Sequence, residues 1–217
     1  MQKYGWFCFS IVMLNPSQSV LALEAETLFR MPSLKLGIAK SAGTIDVSNK
    51  GQFDDVAFSS STSFTPVVTL IQSPFYFSDD SRWGYHTELN AAYFKLDYDD
   101  DNRQGFRDGE FEGYSVSFTP VLFYQWGDKT LCSDCKSWRF ELGAGINYLN
   151  ADGDLIASNG ERTVFENSGI GVNSHLGVVM SYKQWELGLR FAVPTRVDDN
   201  DVEVRHALST LSFGYRF

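Results

Sequence analysis

YSVSFTPVLFYQW, residues 114–126, decides the fold. Tyr114, Val116, Phe118, Pro120, Leu122, Tyr124 and Trp126 share one face of an extended chain. Ser115, Ser117, Thr119 and Gln125 take the other, with Val121 and Phe123. Successive side chains of a strand point to opposite sides, so this pattern of period 2 reads as a strand with one apolar face. Its length matters as much as its period. Soluble strands usually run about 5–6 residues, whereas a strand crossing a bilayer needs about 9–11.

The pattern recurs. Residues 138–150 set Trp138, Phe140, Leu142, Ile146 and Tyr148 against Arg139, Glu141 and Asn147. Residues 170–182 set Ile170, Val172, Leu176, Val178, Met180 and Tyr182 against Asn173, His175 and Ser181. Residues 185–193 set Trp185, Leu187, Leu189, Phe191 and Val193 against Glu186 and Arg190. Less regular alternation covers 33–47, 62–73, 83–97 and 204–217. The sum is eight long strands and an all-β chain: an eight-stranded antiparallel up-and-down transmembrane β-barrel. The link at Lys183-Gln184 is tight, while 98–113, 151–167 and 194–203 read as long polar loops. Short turns at one end and long loops at the other is the pattern of barrels that span a membrane. Trp83, Tyr85, Tyr124, Trp126, Trp138, Tyr182, Trp185, Tyr215 and Phe217 all fall at the short-turn end, as an interfacial aromatic girdle would. SFTPV occurs at 63–67 and again at 117–121, and a local bulge is expected at each proline.

The bulk numbers agree. Mean hydropathy is −0.19 with 15% aromatics, which suits a chain apolar on alternate positions only. The net charge of −9 argues against nucleic-acid binding. The N-terminus reads as a secretory signal peptide over 1–22, with Lys3, an apolar run from Tyr4 to Leu14, and small residues for cleavage after Ala22. Residues 23–32 are expected to form a short periplasmic segment, and 33–217 the barrel. Cys132 and Cys135 remain in the mature chain, in TLCSDCKSW. A disulfide staple in a turn is the favoured reading; a zinc or redox pair is the alternative, and no helix follows to support it.

Polar residues on the face opposite the apolar band carry whatever chemistry the lumen has: Lys35, His86, Glu88, Arg139, Glu141, His175, Arg190 and Arg216. Eight strands enclose a lumen just wide enough for side chains, so these groups are expected to pair with one another. A narrow polar path for small solutes is the functional alternative. The acidic runs at 97–101 and 198–201 lack the ligand spacing of a cation loop and read as solvated. No metal or cofactor is expected.

The signal peptide, the eight alternating strands and the terminal strand with Gly214, Tyr215 and Phe217 resemble the small eight-stranded outer-membrane β-barrel superfamily. The resemblance implies an integral outer-membrane protein of a Gram-negative-type cell, monomeric, with both ends in the periplasm. It implies lipid and lipopolysaccharide as surroundings, and a barrel-assembly machinery that reads the C-terminal strand. GYSVSFTPVLFYQWG (113–127), FELGAGINYL (140–149) and WELGLRFAV (185–193) resemble the outer-membrane lipid A deacylase family. That family uses a lipid-facing His-x-Ser pair. Here Val193 and Thr195 stand at the corresponding positions, and the pair is not found. The reading therefore leans to a non-enzymatic protein acting through its loops or as an envelope component, with a deacylase-like enzyme or a small-solute channel as alternatives. A soluble lipocalin-like barrel, apolar inside and charged outside, is the alternative fold.

Overall fold

The computed structural model describes residues 33–47, 53–59, 64–99, 105–129, 135–199 and 202–215. The expected signal peptide and N-terminal segment, Cys132, Arg216 and Phe217 lie outside the described residues. Eleven strands are described, all within the compact unit Met31–Phe217: β1 (Ser33–Val47), β2 (Phe53–Ser59), β3 (Thr65–Ile71), β4 (Phe75–Tyr76), β5 (Trp83–Tyr98), β6 (Phe106–Gly127), β7 (Lys136–Ala157), β8 (Arg162–Tyr182), β9 (Trp185–Val193), β10 (Thr195–Asp199) and β11 (Val202–Tyr215).

Pairing is antiparallel throughout and the sheet closes on itself. β1 pairs with β11 from Leu34↔Tyr215 to Val47↔Val202. β2 and β3 each pair with both β1 and β5 and make up one broken stave. β9 and β10 both pair with β11 and make up another. With β1, β5, β6, β7, β8 and β11 the staves number eight, and the β1–β11 ladder closes the sheet.

The wall is inside-out by the standard of a soluble protein. Leu36, Phe118, Leu142, Ile146, Leu189 and Phe213 are exposed on the outside, while Lys35, Glu88, Arg139, Glu141 and Glu186 are buried within. Only a hydrocarbon surround makes this arrangement favourable. At the end where β1 begins and β11 finishes, Trp83 pairs with Tyr124, Trp126 with Trp138, and Tyr182 with Trp185. The Trp185 ring stacks on Phe213 at 4.9 Å.

Two expectations need correction. The stretches read as long polar loops are largely strand: β6 begins at Phe106, β7 runs to Ala157, and β8 begins at Arg162. β6 and β7 are 22 residues each, about twice what a membrane crossing needs. The reason is chemical. Above the outer tyrosines Tyr93, Tyr114 and Tyr148 the alternation continues with its sign reversed. Phe94, Leu96, Phe111, Leu149, Leu155 and Phe165 now point inward, and Lys95, Glu110, Asp152 and Glu166 outward. A reading tuned to one apolar face takes that reversal for a loop.

The prolines of SFTPV do not sit in bulges. Pro66 pairs with Ile38 between Val67↔Gly37 and Thr65↔Ala39, with no offset. Pro120 pairs with Thr87, and on its other side the ladder steps from Phe118↔Ile146 to Val121↔Gly143 in unbroken register. The missing N–H leaves a gap in the ladder and moves nothing.

A bulge does sit at Pro194, besides the register shifts at Ile45–Val47 and Phe106–Asp108. Arg190 pairs with Thr210 and Thr195 with His206, so β9–β10 spends one residue more than β11 over the same span. That extra residue is a bulge, and it exchanges the faces of the strand. Val193 points outward and Thr195 is buried in the lumen. Gly171 makes room for it: a Cβ there would meet Arg196 O at 2.4 Å and Thr195 Cγ2 at 2.6 Å.

Candidate functional site

The lumen holds three layers, stacked upward from the end where β1 begins. The lowest is a chain of alternating charges contributed by four staves. Lys35 Nζ lies 2.9 Å from Glu186 Oε2. Arg139 reaches Glu186 Oε1 at 3.0 Å and Glu141 Oε1 at 3.3 Å. Arg190 reaches Glu141 Oε2 at 3.3 Å and Glu88 Oε1 at 2.7 Å. His86 Nε2 closes the chain 3.0 Å from Glu88 Oε1. Three permanent cations face three carboxylates. Except for Arg190, all are nearly inaccessible to solvent.

Strand parity builds this layer. Residues two apart on one strand share a face, so Arg139 and Glu141 point inward together, as do His86 and Glu88, and Glu186 and Arg190. Phe123 packs among them, 5.5 Å from the His86 ring and 5.6 Å from the Arg139 guanidinium. Isolated charges could not occupy such a site, because desolvation of each costs several kcal/mol unless a partner answers it. The layer is self-neutralising, and it fills the lumen at that height.

His86, Glu88 and Glu141 offer ligand atoms within 4.8 Å of one another. Arg190 already bonds both carboxylates. The guanidinium thus supplies positive charge to the same two carboxylates a metal cation would use.

The middle layer is a chamber of about 70 Å³ with a mixed lining: Asn90, Asn147, Asn173, His175 and His206 bring polar groups to it, and Val67, Ala92, Ala192 and Leu208 bring apolar surface. His175 belongs here and not to the charge chain. It sits across from Gly143, where a Cβ would fall 2.3 Å from its Cε1, and its Nε2 has no hydrogen-bond partner among the described residues. His206 Nε2 lies 2.6 Å from Ser41 Oγ, with its ring 4.1 Å from Phe94. The pair has the composition of a nucleophile and its base. It faces the lumen, and no carboxylate bonds the imidazole among the described residues.

The top layer is apolar. Phe58, Phe94, Phe111 and Phe165 pack ring on ring at centroid separations between 5.5 and 6.2 Å, with Leu96, Leu155 and Val204 around them. Outside the same height, Lys95 pairs with Glu110, Arg162 with Asp154, and Arg196 and Arg205 with Glu203.

Sequence reading named six members of the charge chain and missed Glu186. Charge balance would have found it: Lys35, Arg139 and Arg190 need a third carboxylate beside Glu88 and Glu141, and Glu186 is the one on lumen parity in WELGLRFAV. The Ser41–His206 pair joins residues 165 apart and leaves no local trace. Cys135 is buried and disulfide-bonded; its expected partner lies outside the described residues. Gly214 and Tyr215 lie on β11 at the closing seam, paired with Lys35 and Leu34.

No family model matches the chain, and no curated protein sequence matches it. Among solved structures it is similar to Ail, the attachment invasion locus protein of Yersinia pestis, at 15% identity over 86% of this chain and 99% of that one, with a TM-score of 0.38. Neisserial surface protein A gives 13% identity, 85% and 97% coverage and a TM-score of 0.48. The outer-membrane enzyme PagL gives 11%, 83% and 99%, and 0.43. Similarity at this level adds no detail to the barrel already drawn from its strand pairings.

Proposed function

We propose that this chain is a non-enzymatic outer-membrane surface protein: a filled barrel that holds a rigid, strand-built collar above the membrane. The observation that carries the reading is the change of sign along β6 and β7. Below the outer tyrosines the wall is apolar outside and charged inside. Above them it is charged outside and apolar inside. The upper half is thus built for water on its outer surface, and its four packed phenylalanines give it a core of its own.

Two further observations bear on the alternatives. The charge chain and the phenylalanine layer each fill the lumen, which argues against a continuous path for solutes. The Pro194 bulge puts Val193 and Thr195 on opposite faces of the wall, so the deacylase-like position could not carry a His-x-Ser pair even with those residues restored. Under this reading the chain is monomeric and sits among outer-membrane lipid and lipopolysaccharide. The barrel-assembly machinery engages its last strand through Gly214, Tyr215 and Phe217.

Lipid A from membranes with and without the protein, compared by mass spectrometry, tests the reading against an enzyme: identical acylation is expected, and loss of an acyl chain would sink it. Cysteine introduced at Asp152 should react with a membrane-impermeant maleimide on intact cells. Protection of that cysteine would place the collar elsewhere.

A further inference from the structure

The outer face of the barrel at the end where β1 begins and β11 finishes, which we place in the periplasm, holds a square of four side chains. Lys136 pairs with Tyr182 in the lower row, and Trp138 with Met180 in the row above. All four point outward. They line an open groove of about 390 Å³. Phe140 with Val178, then Leu142 with Leu176, continue the same column toward the middle of the membrane, each row about 7 Å above the last.

Charge is concentrated at the foot of this column. Lys136 Nζ lies 5.5 Å from the centre of the Tyr182 ring, and Lys183 Nζ lies 5.2 Å from it. Two ammonium groups share one ring, and among the described residues neither has a carboxylate partner. The nearby Asp128 accepts the Lys136 backbone N–H through one carboxylate oxygen at 3.1 Å and forms no ion pair with either ammonium group. Rim lysines commonly extend toward the interface; two converging on one phenol, neither in an ion pair among the described residues, form a local concentration of positive charge that an anion would answer.

The backbone is arranged to keep them there. Lys183 has φ of 56°, and among the described residues no other side-chain-bearing residue has positive φ. Glycine or asparagine adopts that conformation at lower cost. Its N–H donates to Cys135 O at 3.1 Å, so the disulfide-bonded residue of the C-x-x-C motif anchors the turn that carries Lys183. The residue after Cys135 is Lys136. One staple therefore positions both lysines.

We infer that this corner binds a phospholipid with an anionic phosphate headgroup: the phosphate between Lys136 and Lys183 beside Tyr182, and an acyl chain along Trp138, Met180 and the rows above. The inference needs the barrel to lie in a membrane and does not depend on what the collar does.

The test is native mass spectrometry of the intact, detergent-solubilised protein with phosphatidylglycerol or phosphatidylcholine added in equal amounts. The wild type should retain phosphatidylglycerol in clear excess. Lys136→Gln and Lys183→Gly should each lower that retention roughly fivefold, as expected for one lysine at an anionic headgroup, and Lys136→Arg should preserve it. Lys183→Gly relieves the left-handed backbone, so it carries the test if the other variant folds poorly; heat-modifiable gel mobility checks folding. Equal retention of the two lipids by the wild type would overturn the proposal, and so would unchanged retention in folded Lys183→Gly. Excess inorganic phosphate should leave the lipid bound. Displacement by phosphate would reduce the site to one for a bare anion and would also overturn it.

Discussion

The lower barrel and the upper collar are built from the same strands and obey opposite rules. On β7, the odd residues Arg139 and Glu141 bring charge to the lumen, and ten residues on, the odd residues Leu149 and Leu155 bring hydrocarbon to it. Nothing in the backbone changes between them. What changes is the surrounding solvent, which is hydrocarbon below the outer tyrosines and water above. Alternation specifies that a strand has two faces, and the medium decides which face is which. The soluble-barrel alternative raised by the sequence in fact describes the polarity of the upper half.

This contrast can be broken from either side. Glu141→Ala should have the largest effect. It leaves three buried cations facing two carboxylates, with Arg139 held by Glu186 alone and Arg190 by Glu88 alone; the uncompensated charge should cost about 3–5 kcal/mol, and the heat-modifiable folded form should melt at markedly lower temperature. Phe111→Ala should come next, at about 3 kcal/mol. Its damage should be confined to the collar: hydrogen exchange should quicken on 106–112 and 149–156 while the lower wall stays protected. Equal quickening in both halves would mean that the collar has no separate core.

Smaller effects sharpen the same comparison on the outer surface. Leu142→Arg, midway between Trp138 and Tyr148, should cost about 2–3 kcal/mol because the guanidinium enters hydrocarbon. Denaturant titration in lipid vesicles reads this directly. Glu166→Arg, on the outer surface of the collar, should leave the same midpoint nearly unmoved. If the two substitutions cost the same, the reversal of solvent is wrong. Least of all, Arg162→Ala removes an exposed ion pair to Asp154 and should change stability by less than about 1 kcal/mol.

Much of this was legible before any coordinates. The lower staves announce themselves because hydrocarbon outside and ion pairs inside give a sharp alternation over a long run. Lys35, His86, Glu88, Arg139, Glu141 and Arg190 follow from parity alone, and they do converge. The collar was hidden because its alternation carries the opposite sign and is dense in Asp and Glu, which reads as loop. Glu186 was hidden because parity identifies a face and not a partner. His175 shares the face of the charge chain but sits a level higher, and height in a tilted barrel depends on stagger between strands, which no single strand encodes. Ser41 and His206 meet only because β1 closes onto β11.

Pro194 has a consequence for how this chain tolerates change in length. Its extra residue is a half-period phase shift. Below it the odd positions of the stave look at lipid; above it they look inward, so Val197 joins the apolar layer and Arg196 stays in water. Removing one residue there would leave composition almost untouched yet transpose every side chain of β10, sending Arg196 and Asp198 into the phenylalanine layer. Removing two would restore the phase. Drift in strand length at this stave is thus quantised: the wall can be lengthened or shortened in pairs of residues, and single steps are penalised on both faces at once.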